Sequence, residues 1–233
     1  MNHSTRLRRL ALAACVSAGL ALAHSPVAVS RDQPPQVSPD GLQLQKSTGN
    51  RVVYVKPGAS LAQYQRVAIL ECEVALEKNW QKNYNDTVRG LEGRVKDSDV
   101  ERIKRELAEE CMKVFTEELQ KGGYQVVDVA GPDVLVLRPG LINVSINAPD
   151  LLTAGMSSTV VRSAGQMTLF LELYDSTSKT LLARVLDAQE DRDSIAQSGN
   201  AVANKQAADR ILRRWAGALV AHLDAVTKTA PTQ

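Results

Sequence analysis

Val100, Ile103, Leu107, Cys111, Val114, Phe115 and Leu119 recur at steps of three and four. That spacing is the period of a helix with one buried face. Ser98-Asp99-Val100-Glu101 ahead of it fits a capping box, in which Ser and Glu satisfy each other's free backbone N–H groups. Gly122-Gly123 behind it offers the left-handed residue at which such helices stop. About 24 residues at roughly 1.5 Å each predict a rod of about 36 Å. A helix this long with a single apolar stripe has to lie on a second layer.

The flanking segments supply that layer as a sheet. Val52 to Val55 reads as a short strand closed by Pro57-Gly58. Residues 66–77 read as one central strand. Val67 to Leu70 is continuously apolar, and beyond it Leu70, Cys72, Val74 and Leu76 face one way while Glu71, Glu73 and Glu77 face the other. Residues 78–97 are polar, hold Gly90 and Gly93, and suit an ordered loop or a short helical piece. Tyr124–Val129 and Val134–Ile146 are the next strands, the latter open to a kink at Pro139-Gly140 where a donor is missing. Residues 147–164 read as a loop of small residues. Met167, Leu169, Leu171 and Leu173 then alternate with Thr168, Phe170, Glu172 and Tyr174, and Asp175 to Lys179 turns that strand into Leu181–Leu186. A closing helix over residues 199–226 carries Ala201, Ala208, Leu212, Trp215, Leu219, Leu223 and Val226 on its inner stripe, with Arg210, Arg213 and Arg214 mostly outside it. The order ββαββββα predicts one α/β (α+β) domain over 51–226: a mixed, mostly antiparallel sheet with two long helices packed on it.

The first residues carry an address. Arg6, Arg8 and Arg9 precede an uncharged apolar run from Leu10 to Leu22, and Ala21-Leu22-Ala23 puts small residues where a signal peptidase reads. This is the pattern of a secretory signal peptide over residues 1–23, cleaved after Ala23. Leu12-Ala13-Ala14-Cys15 also matches a lipobox, which would place a lipid on Cys15, but cleavage there leaves an apolar core shorter than the roughly 7–15 residues of a signal. Residues 24–50 hold Pro26, Pro34, Pro35 and Pro39 among polar residues and read as an extended tether, and residues 227–233 as a disordered tail. Removing residues 1–23 takes three arginines and no acid from 28 basic and 26 acidic residues, leaving 25 against 26 and a net charge of −1. A neutral chain with 4% aromatics lacks the basic footprint of a nucleic-acid binder. No apolar run reaches the roughly 18 residues of a membrane span, so a membrane enters only through lipidation of Cys15.

Catalytic patterns are absent from the sequence. It has no Cys-x-x-Cys, no His pair at metal-ligand spacing, no Gly-x-Ser-x-Gly elbow, no phosphate loop and no dinucleotide fingerprint. No catalytic residue, metal site or cofactor is therefore expected. His222 reads as a helix-surface or partly buried side chain. Ser176-Thr177-Ser178-Lys179 spells Ser-x-x-Lys, but at a hairpin tip, where the Lys does not follow the Ser by one helical turn. The acid pairs Glu71/Glu73, Glu109/Glu110 and Glu117/Glu118 fall on expected solvated faces. One segment stands apart: Lys78, Asn79, Trp80, Asn83 and Tyr84 set two scarce aromatics among amides and a cation just past a strand. It is either a packed corner or a recognition surface, and it is the candidate interaction surface of the chain. Cys72 and Cys111 lie on apolar faces that a helix packed on a sheet brings together. In an oxidising compartment a disulfide between them is open, the alternative being two buried thiols.

Several stretches carry a resemblance. Asp40-Gly41-Leu42, Val53-Tyr54-Val55-Lys56-Pro57-Gly58, Lys78-Asn79-Trp80 with Tyr84, Asn147-Ala148-Pro149-Asp150, Ala164-Gly165-Gln166-Met167-Thr168-Leu169, Glu172-Leu173-Tyr174-Asp175-Ser176 and Arg213-Arg214-Trp215-Ala216 together resemble a bacterial family, domain of unknown function 3313. The resemblance spans roughly residues 35–225 and implies a secreted protein or lipoprotein with no assigned activity. More distantly, the strand–helix–strand order and the Asp175 hairpin are similar to periplasmic α/β domains of the curli-secretion channel subunit and of lipoprotein activators of penicillin-binding proteins. That likeness implies work by binding. The expectation is a non-enzymatic envelope protein of the periplasm or outer membrane that contacts a protein or cell-wall component. The alternative is an envelope hydrolase using a carboxylate pair.

Overall fold

The computed structural model describes residues 33–88, 90, 93–147, 149, 159–161, 165–190, 197–199 and 201–229. The signal peptide, cleavage after Ala23, Cys15 and the tether up to residue 32 lie outside them, as do residues 230–233.

Among the described residues ten strands and three helices follow one another: β1 (Gln43–Ser47), β2 (Arg51–Val55), β3 (Arg66–Ile69), β4 (Glu73–Leu76), α1 (Trp80–Thr87), α2 (Asp97–Lys121), β5 (Gln125–Val126), β6 (Val134–Ile146), β7 (Thr159–Val161), β8 (Gly165–Asp175), β9 (Leu181–Glu190), β10 (Gln197–Gly199) and α3 (Ala201–Thr229). The main sheet has eight strands in the order β1-β2-β9-β8-β6-β3-β5, with β4 also beside β6; β7 and β10 form a separate two-stranded sheet. Pairing is antiparallel from β1 through β6, and parallel where β3 and β4 meet β6 and where β5 meets β3. This is the expected mixed, mostly antiparallel α/β domain.

Period-two patterning decides which face is covered. Leu135, Leu137 and Leu141 of β6 and Leu169, Leu171 and Leu173 of β8 point to one side, where they meet Val114, Phe115 and Leu119 of α2 and Ile211, Leu212, Trp215 and Leu223 of α3 in one core. Glu172, on the opposite face of β8, is nonetheless only 2% exposed. It accepts hydrogen bonds from Tyr174 Oη (2.6 Å), from Arg184 Nε (2.8 Å) and Nη2 (2.6 Å), and from Arg138 Nη1 (3.2 Å). Burial works to raise its pKa, but the Tyr174 hydrogen bond and the arginines outweigh it and hold the carboxyl below its ordinary value.

Four expectations need correction. The central strand over 66–77 is two strands, because Pro139 has no N–H to offer on the edge of β6 that Leu137 presents to β3. The missing donor breaks the partner strand rather than kinking β6, and Leu70, expected inside, is 48% exposed at the break. The tether is ordered at its end: β1 pairs with β2, Leu42 is buried, and Tyr54 Oη donates to the Pro35 carbonyl at 2.9 Å. The start of α2 is capped from Asp99, whose carboxylate accepts the Lys96 N–H at 3.0 Å, so the helix begins at Asp97 and the Ser98–Glu101 box is not used. At the other end α3 runs through residues 227–229, which a disordered tail does not describe.

Candidate functional site

The sheet is wider than its helical cover. The main neighbours of α2 are β4, β5 and α3, and α3 lies beside β8 and β10 and reaches β9 through Trp215, so the same face of β2 and β1 continues past the last helix. Register places Val53 of β2 against Val185 of β9 and Val55 against Ala183, all facing the helix side. With Ala218, Leu219 and Val226 of α3 opposite and Ala59 and Leu61 at one end, they enclose an apolar groove of about 550 Å³. That volume sits in the range of small-molecule sites, about 300–1,000 Å³.

Among the described residues that line it, the groove holds a single acid. Asp187, one register step beyond Val185 on β9, is 1% exposed, and its Oδ2 accepts from Arg51 Nε (2.9 Å), Arg51 Nη2 (2.5 Å) and Trp215 Nε1 (3.1 Å). Gln189 Nε2 reaches Oδ1 at 3.3 Å. Strand β2, strand β9 and helix α3 are thereby tied to one carboxylate. Lys46 and His222 line the groove as exposed side chains, and Arg51 is about one-third exposed at 34%. The mouth is therefore basic and the floor apolar.

A second cavity of about 550 Å³ lies between α2 and α3 above the far ends of β6 and β8. Its rim mixes signs: Glu110, 7% exposed, meets Lys113 at 3.3 Å and Lys205 at 3.5 Å.

The segment singled out from sequence divides in two. Trp80 is 5% exposed, donates its indole N–H to the Ile146 carbonyl at 3.1 Å, and stacks on Tyr84 at 6.0 Å between ring centres. Together with Val95 and Ile103 they fill a small core between α1 and α2. Burial pushes the Tyr84 hydroxyl pKa up. Lys78, Asn79 and Asn83 stay exposed, and Asn79, with φ of 62°, starts α1. The aromatics make a packed corner, which corrects the idea of a recognition surface built on them, because a buried indole with a satisfied N–H offers nothing to a partner.

Cys72 and Cys111 are brought together. Their Cα atoms are 6.5 Å apart, within the span a disulfide bridges, and their sulfurs are in contact. Ser176 of the Ser-x-x-Lys motif is buried, its hydroxyl donating to the Gly131 carbonyl at 2.7 Å and accepting the Gly131 N–H at 3.0 Å. Of the acid pairs, Glu71 and Glu73 are exposed, while Glu117 and Glu118 share Arg213 at 2.8 Å each. Glu110 corrects the expectation of a solvated face, being buried against its two lysines. Among the described residues no cluster of three or more His, Cys, Asp or Glu is placed to hold a metal ion, and no helix is long and apolar enough to cross a membrane.

Sequence reasoning missed the groove. Its only trace in the sequence is that Val53, Val55 and Val185 are apolar where the covering helix does not reach, and that Val226 extends the α3 stripe beyond its deeply buried part.

A search of curated proteins finds no match. Among solved structures the chain is similar to the PelC dodecamer of Paraburkholderia phytofirmans (10% identity, 72% of this chain and 96% of that one, TM-score 0.36). It is also similar to a DUF330 protein of Xanthomonas campestris (13% identity, 75% and 94%, TM-score 0.38). A third likeness is to a minor lipoprotein of Acinetobacter baumannii (10% identity, 68% and 94%, TM-score 0.32). Such scores carry no ligand or partner across. The family described as protein of unknown function (DUF3313) matches residues 35–219, and the chain belongs to that family.

Proposed function

We propose that this chain is an exported, non-enzymatic envelope protein that works by binding, and that the groove between α3 and strands β2 and β9 is its working site. The observation that carries the reading is the groove itself: an apolar trough of about 550 Å³ whose one acid among the described residues is locked by Arg51 and Trp215. A polar floor would suit chemistry on a polar substrate; an apolar one with a fixed ion pair at its end suits retention of an apolar group. The export pattern of residues 1–23 supports a periplasmic address, with an outer-membrane anchor if Cys15 is acylated. No cofactor and no nucleic acid enter this reading, and its partner is an envelope component. No specific observation favours the carboxylate-hydrolase alternative.

The test uses the uncharged dye N-phenyl-1-naphthylamine, which brightens in apolar surroundings. Saturable binding of one dye per mature chain is expected, and Ala218→Trp, at an exposed position lining the groove, should abolish it without changing the circular dichroism spectrum. Absence of saturable binding, or full binding by the variant, would defeat the reading. Intact mass addresses export separately: a chain beginning at His24 is expected, and a diacylglyceryl mass on Cys15 would show that the lipoprotein peptidase acts instead.

A further inference from the structure

We propose that the groove takes one long-chain fatty acid, its acyl tail lying between α3 and β9 and its carboxylate at the mouth near Lys46 and His222. This inference rests on the groove being the working site and adds the identity of its ligand.

Volume argues for one chain. At about 550 Å³ the groove lies within the range of small-molecule sites, roughly 300–1,000 Å³. A site of that size suits a single-chain amphiphile. The walls agree, since Val53, Val55 and Val185 from the sheet and Leu219 and Val226 from the helix offer no hydrogen-bonding atom along the trough.

Charge argues for an anionic head. Among the described residues, the ionisable side chains that line the groove are Lys46 from β1, Arg51 from β2, Asp187 from β9 and His222 from α3. Asp187 is buried and faces Arg51 and Trp215, so its charge is directed inward. Lys46 and His222 are exposed, and the hydrogen bonds of Arg51 come from Nε and Nη2, which leaves Nη1 on a guanidinium 34% open to solvent. An ammonium head at this mouth would meet like charge. An alcohol would leave Lys46 without a counter-charge. A carboxylate answers it.

Displacement of bound N-phenyl-1-naphthylamine tests the proposal. The competitors are palmitate, hexadecanol, hexadecyltrimethylammonium and an amphipathic helical peptide, each below its aggregation limit. Palmitate is expected to displace the dye at concentrations roughly tenfold lower than the other two single-chain compounds, and the peptide is expected not to displace it. Lys46→Glu combined with His222→Glu, both surface changes, should weaken palmitate by roughly fivefold to tenfold more than it weakens the uncharged dye. Equal potency of hexadecanol and palmitate, preference for the ammonium compound, displacement by the peptide alone, or an indifferent double variant would each overturn the fatty acid while dye binding still upheld the groove. Failure of the dye to bind wild type would bring down the groove and the ligand together.

Discussion

Trp215 donates its indole N–H to Asp187 Oδ2 over 3.1 Å, which pins α3 to β9 at a buried carboxylate. The same oxygen accepts Arg51 from β2, so one atom fixes how far the helix stands from the uncovered strands. The width of the apolar groove follows from that contact.

Removing Arg51 leaves a nearly inaccessible carboxylate without its counter-charge. Arg51→Ala should cost about 2 kcal/mol in urea unfolding, below the value for a fully buried pair because the guanidinium is 34% exposed. Trp215→Phe loses the donor and the volume of the second ring and should cost about 1–3 kcal/mol. A loss under 0.5 kcal/mol in both, of the order seen for ordinary surface changes, would show that Asp187 does not hold the helix.

At the packed corner, Trp80→Ala should cost about 3–5 kcal/mol, because it empties a core site and strands the Ile146 carbonyl. Asn83→Ala, on the exposed side of α1, should stay within about 0.5 kcal/mol. Thermal unfolding of the two variants measures this. A Trp80 variant as stable as wild type would return that segment to the surface.

The hairpin tip predicts an acid-sensitive element. Asp175 accepts the Ser178 and Thr177 backbone N–H groups at 2.6 and 3.1 Å and the Tyr64 hydroxyl at 2.8 Å. The Ser178 hydrogen bonds, ahead of Tyr64, draw its pKa from 3.8 down to about 2. A depressed folded value means the stabilisation is whole above about 4 and is lost as pH falls from there towards about 2. Asp175→Asn should therefore melt lower than wild type at neutral pH, with the gap closing over that acid window. Tyr64, pushed up to about 12 chiefly by burial, acts in the other direction: its contribution is present below pH 10 and lost as pH rises through about 12. A gap for Asp175→Asn that is constant from pH 6 to pH 2 would contradict the assignment.

We propose the Cys72–Cys111 contact as a disulfide in the exported protein. The residues are 39 apart in sequence, and closing such a loop contributes up to about 4 kcal/mol through chain entropy. Thiol counting under denaturing, non-reducing conditions on periplasmic mature protein should find none. Two titratable thiols per chain would end the proposal.

Local patterning was legible where packing obeyed it. The alternation from Met167 to Tyr174 and the stripe from Ile103 to Leu119 gave the faces that the core uses. Leu70 escaped because its exposure depends on Pro139, a residue of another strand far along the chain. Strand β1 was hidden by the prolines ahead of it, since its pairing with β2 is a matter of tertiary contact rather than propensity. Trp80 is scarce and flanked by polar residues, which suits an interface and a corner equally well. The groove was least legible of all. It depends on where α3 lies across the sheet, and the hydrogen bond that settles this joins Trp215 and Asp187, 28 residues apart, with nothing in the periodicity to pair them.

The chain has two tryptophans, and they lie in different places: Trp215 lines the groove and Trp80 fills the corner by α1. A nitrogen–proton correlation spectrum of the mature domain therefore carries two indole signals that report on the two sites separately. Titration with N-phenyl-1-naphthylamine, then with palmitate, should move the Trp215 indole signal progressively to saturation and leave that of Trp80 in place, with Trp215→Phe and Trp80→Phe assigning them. A Trp215 signal that stays still while ligand binds, or a shift confined to Trp80, would contradict the groove as the binding site.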